Sequence, residues 1–165
     1  MVTKGRFPLV IVLFIFYAWF CIQVLMNLRL KLPLAVNALL FMAIEVVLTN
    51  KLTISGLNLQ LFQINQNIPH FIALILHNDF TITFILIAFA NVFLLSSKTS
   101  VRTGIAVYAF GIQLLLGMEL HRNQVLIYKE WDYLNESLMI LLLMLYTLLF
   151  GKLFQWMASR EGWIR

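Results

Sequence analysis

Between Pro8 and Leu28 the chain carries no charged residue at all. A helix of about 20 predominantly apolar residues is what spans the hydrocarbon core of a bilayer. Four further apolar runs follow, and a water-soluble domain of this size leaves too much surface exposed to hide them all. The sequence therefore predicts an all-α integral membrane protein, a bundle of about five transmembrane helices in a single domain over residues 1–165. The predicted spans are residues 8–28, 33–49, 78–97, 103–121 and 136–157. Composition agrees: 62% of residues are hydrophobic and 12% charged, against roughly half and about a quarter in soluble domains.

Local signals set the ends. Pro33 is placed to open the second helix, and Asp132 or Asn135 to cap the fifth. The third can extend backwards through residues 71–76. Residues 50–69 are rich in Asn and Gln, and Leu57, Leu59, Leu61 and Ile64 are too diluted to span. Residues 57–61 alternate as a strand does, but a lone strand has no sheet to join. An interfacial or re-entrant segment between helices two and three is the expectation. Lys4 and Arg6 before an apolar run have the outline of a signal peptide. No small-residue cleavage site follows, and Trp19-Phe20 before Cys21 does not suit a lipoprotein signal, so this run is read as an uncleaved first span. Cys21 is the single cysteine, which excludes an internal disulfide and any multi-cysteine metal site.

Five crossings fix which loops share a membrane face. The loops after spans two and four lie together with the N-terminus. That face holds Lys4, Arg6, Lys51, Arg122 and Lys129 beside Asp79, Glu119, Glu130, Asp132 and Glu136, and it collects His70, His77 and His121. The other face holds Arg29, Lys31, Lys98, Arg102, Lys152, Arg160 and Arg165 against Glu161 alone. The excess of Lys and Arg on the second face puts the C-terminus in the cytoplasm and the N-terminus outside, in the cell (plasma) membrane of a bacterium. Trp156 and Trp163 with Arg160 and Arg165 form an interfacial anchor, and Tyr128, Trp131 and Tyr133 a matching belt opposite. The net charge of +5 is no nucleic-acid signature, because the basic residues are scattered at span ends with no run to follow a phosphate backbone.

Glu45 lies well inside the second span, where an ionisable group costs at least a few kcal/mol and marks a functional site by default. A carboxyl there serves as a proton carrier, or as a structural hydrogen-bonding group whose candidate partners are Asn37, Asn91 and Gln113. Gln23 and Asn27 share a face of helix one. Ala109, Gln113 and Gly117 form a small-polar-small stripe that predicts a central position for helix four. His70, His77, Asp79, Glu119 and His121 are the candidate catalytic residues, since imidazole and carboxylate are general acid–base groups. They are also ligand types for zinc or iron, yet no metal-site spacing such as His-Glu-x-x-His occurs. Solvation of a polar interface explains the same residues without chemistry. Ser55, Ser96, Ser97 and Ser137 lack any nucleophile motif, and no cofactor can be named.

Three functions stay open. The first is a non-catalytic subunit, assembly or regulatory partner in a membrane complex, in contact with membrane lipids and other membrane-protein subunits or with itself. The second is a membrane-embedded enzyme acting on a lipid or lipid-linked substrate through the His, Asp and Glu residues of one face. The third is oligomeric ion or proton transport through Glu45.

Overall fold

The computed structural model describes residues 7–29 and 31–161. Lys4, Arg6, Trp163 and Arg165, which the sequence assigns to the two membrane faces, lie outside the described residues. Helix α1 is Phe7–Asn27, α2 Leu34–Asn58, α3 Ile68–Leu95, α4 Thr99–Arg122 and α5 Tyr133–Arg160. Among the described residues these are five helices long and apolar enough to cross a membrane. Two short strands, β1 (Phe62–Ile64) and β2 (Leu126–Tyr128), complete the elements among the described residues.

The predicted starts hold best where punctuation is strong: Pro33 sits at the N-cap of α2, and the Asp132 carboxylate accepts the backbone N–H of Asn135 at 2.7 Å to cap α5. Pro69, read from the sequence as loop, lies instead in the first turn of α3. The bounds drift where the backbone widens. α2 continues past Lys51 as a π-helical segment, Leu52–Asn58, and α3 contains a second one, Leu76–Ile82. A π turn takes an extra residue and leaves carbonyls poorly served. In α3 the Thr81 and Thr83 hydroxyls lie 3.1 and 3.2 Å from the carbonyl oxygens of Leu76 and Asn78. The third helix begins ten residues ahead of the predicted position 78, at Ile68, because Ile68–Ile75 is regular α-helix running into the π segment.

A strand does form in the loop after α2, but just after the alternating residues and with a partner from another loop. β1 pairs antiparallel with β2, placing Phe62 opposite Tyr128, Gln63 opposite Ile127 and Ile64 opposite Leu126. The residues that alternate in sequence, 57–61, mostly belong to the end of α2 and the turn after it. In that turn Gln60 takes a positive φ of 51°. The ribbon ties the loop after α2 to the loop after α4, which the parity of five crossings requires to share one end.

Packing is organised around α3, which touches each of the other four helices. Leu40, Ile44 and Leu48 of α2, Leu86, Ile87, Phe89 and Ala90 of α3, and Ile140, Leu143 and Met144 of α5 form the main buried cluster. Gly151 lets α5 close on α3: a Cβ there would stand 2.9 Å from Leu94 Cδ1. The central position expected for α4 belongs to α3 instead. The stripe Ala109, Gln113, Gly117 is buried, but it forms one inward face of a helix that packs chiefly on α3 and α5. Small residues mark a close contact, not the number of neighbours. Outward faces carry large apolar side chains, among them Leu9, Leu34, Val107, Leu134 and Leu149.

Candidate functional site

The buried amides are spent on packing at the end away from the ribbon. Asn91, fully buried, donates to Asn37 Oδ1 at 2.8 Å and to the carbonyl of its own Ile87 at 2.7 Å. Its Oδ1 accepts the Leu32 backbone N–H at 2.6 Å. This junction joins α2, its preceding turn and α3. Asn27 turns back onto the Gln23 carbonyl of its own helix. Glu45 finds none of the expected amides; its partner is the Thr83 hydroxyl, 2.6 Å away on α3.

The five acid–base candidates lie on α3 and α4 toward the ribbon end. His70 and His77 are both buried on α3. Asp79 accepts from Asn78 Nδ2 at 3.1 Å, and Glu119 accepts from Asn123 Nδ2 at 2.8 Å. His121 stacks on Tyr128 with ring centroids 4.5 Å apart, its Nδ1 3.3 Å from the Leu126 carbonyl oxygen. Among the described residues no group of three or more His, Cys, Asp and Glu side chains is placed to hold a metal ion.

Two hollows organise what remains. The first is a small, partly open chamber of about 30 Å³ with a mixed polar and apolar lining, where the end of α2, the π segment of α3, α4, the ribbon and the start of α5 meet. His77, Asn78, Gln113, Lys51, Glu136 and Tyr128 contribute its polar wall. His77 sits edge-on to Phe14 of α1, centroids 5.8 Å apart. Lys51 and Glu136 form an ion pair at 2.9 Å, with side chains only 14% and 13% exposed. The second oxygen of Glu136 accepts the Trp131 indole N–H at 2.7 Å, and Trp131 packs edge-on to buried Phe62 of β1. Charge-assisted bonds to both carboxylate oxygens are the strong kind. Burial raises the Tyr128 phenol above its ordinary value, with Glu136 and Tyr133 adding to the rise, so Tyr128 remains a hydroxyl. Of these groups the sequence marks His77 as an acid–base candidate, Gln113 as a packing amide and Tyr128 and Trp131 as an aromatic belt. It puts Lys51 and Glu136 on one face without pairing them, although opposite charges at span ends that parity brings together are the available signal.

The second hollow is an apolar cleft of about 500 Å³ that opens sideways between α1 and α4, with α3 as its floor. Phe16, Phe20, Tyr108 and Leu115 form its exposed rims. Glu119 and Tyr17 also line it. α1 and α4 flank the cleft without a packed interface of their own.

Comparison with known proteins gives no matching family model, no matching curated protein and no matching solved structure.

Proposed function

We propose that this chain is a multi-pass protein of the cell membrane that acts as a non-catalytic subunit or regulatory partner in a membrane complex. The observation that carries the reading is the sideways cleft between α1 and α4. Elsewhere, outside the small chamber beneath the ribbon, polar groups of the inward faces are engaged with one another: Asn37 with Asn91 and Glu45 with Thr83, while Lys51 pairs with Glu136 at the chamber wall. A bilayer gives apolar side chains no reason to prefer protein over lipid, so helix association there rests on shape and close packing. A groove with aromatic rims offers that shape to a helix of a partner subunit. The segment from Leu52 to Ile64 lies at the membrane interface in this reading. The ribbon end faces outside and the C-terminal end of α5 the cytoplasm, as the basic residues Arg29, Lys31, Lys98, Arg102, Lys152 and Arg160 favour.

A photoreactive phenylalanine analogue at Tyr108 or Leu115, irradiated in native membranes, tests it. Discrete protein adducts are expected from both positions and none from Leu149, on the outer face of α5. Lipid adducts alone at the cleft positions would remove the partner-helix reading.

One observation favours a second reading. Glu119, a candidate acid–base residue, lines the cleft with Tyr17, so a lipid entering there would meet a carboxylate and a phenol. That enzyme reading requires lipid turnover by the purified protein and its loss in Glu119→Gln; a purified chain inert toward lipids counts against it.

A further inference from the structure

The chamber beneath the ribbon has features that packing alone does not call for. Two π segments of seven residues each, Leu52–Asn58 and Leu76–Ile82, both reach its wall, one through Leu52 and the other through His77, Asn78 and Ile82. π-helical backbone accounts for well under about 1% of residues in globular proteins, and its single turns are frequent at functional sites. Here two of them meet at one hollow.

Two buried polar atoms also need a partner there. His77 is 6% exposed and Gln113 2%. His77 Nδ1 and Gln113 Oε1 make no hydrogen bond within the protein, and both side chains line the chamber. Buried polar atoms are almost always satisfied, by protein or by ordered water. The Gln113 amide nitrogen is already committed to the Ala109 carbonyl at 3.0 Å, which fixes the side chain and leaves its oxygen in need of a donor.

Size selects the ligand. The chamber measures about 30 Å³, and a water molecule needs about 10–15 Å³ by the same measure, with two to four polar partners. An acyl chain or a sugar does not fit. A metal cation is disfavoured by the Lys51 ammonium on the wall. We propose that the chamber is a water-binding site, holding about two water molecules that link His77 and Gln113 to the Lys51–Glu136 pair. Lys51 supplies donors, Glu136 acceptors, and Asn78 and Tyr128 complete the polar wall. The assignment is independent of what enters the cleft.

Histidine-selective ¹⁵N labelling of the whole chain in detergent micelles tests it, because only three imidazoles contribute and His77→Gln assigns the ring in question. A cross-relaxation peak between the His77 ring and a long-lived water is expected. It should vanish in Gln113→Leu while the His121 signals, reporting on the ribbon, stay in place. If Gln113→Leu does not fold, Gln113→Met keeps the side-chain length without the amide and should show the same loss. A His77 ring with no water peak in the unaltered protein, or a peak undiminished by the Gln113 substitution, overturns the proposal.

Discussion

Glu136 is held at both carboxylate oxygens, by Lys51 on one side and Trp131 on the other. Breaking a buried pair by removing one partner costs about 3–5 kcal/mol, because the survivor keeps its desolvation penalty, whereas exposed pairs count for about 0–1 kcal/mol. With both side chains some seventh part exposed, Glu136→Gln or Lys51→Met is expected to fall between these, at about 2–3 kcal/mol. The double variant Lys51→Met with Glu136→Met should lose less than the two single losses together. Thermal unfolding in micelles measures all three, and strictly additive losses would show that the pair is not coupled. At this scale the sequence was legible in kind and not in partnership. Glu45 stood out as an intramembrane carboxyl, and Asn37 and Asn91 as packing amides. Which atom meets which depends on helix rotation, and neither composition nor spacing specifies that rotation. Thr83, the partner of Glu45, was invisible for that reason.

The ribbon is the element that most changes the picture drawn from sequence. Three-residue strands fall below any pattern that alternation can reveal, and β1 and β2 stabilise each other from opposite sides of two helices. Directly paired residues in antiparallel strands bring their Cα atoms to about 4.5–5.5 Å, inside the range a disulfide bridges. In a Cys21→Ser background, Gln63→Cys with Ile127→Cys should therefore oxidise quantitatively to an intramolecular bond, since both positions are exposed and in register. Gln63→Cys with Lys129→Cys, two residues out of register, should form it far more slowly. Equal rates on a non-reducing gel would refute the register. The helices themselves were more readable than their ends. α1 lies within one residue of its predicted span, while α2 lengthens through a π segment whose Asn, Thr and Gly content reads as loop, and α3 lengthens chiefly through the α-helical turns Ile68–Ile75.

For the molecule as a whole, the ordering of five apolar helices makes a topological statement that labelling checks. Single cysteines replacing Gln63 and Ile127 should react with an impermeant maleimide from one side of intact cells, and cysteines replacing Lys31 and Lys98 only from the other. Reactivity of Gln63→Cys and Ile127→Cys from opposite sides would dismantle the bundle as described. The division into two ends was readable from the count of spans alone, because parity is indifferent to packing. The sideways cleft was not, since it arises from α1 and α4 both leaning on α3 while leaving each other apart.

That lopsided attachment of α1 bears on how the protein is made. Its principal neighbour is α3, whose first residue, Ile68, is synthesised well after α1 ends at Asn27. During that interval α1 lacks its principal neighbour. A nascent chain arrested before Ile68 would leave it without that neighbour; docking on α3 brings the Phe14–His77 contact into being, and the cleft gains its second wall only when α4 follows.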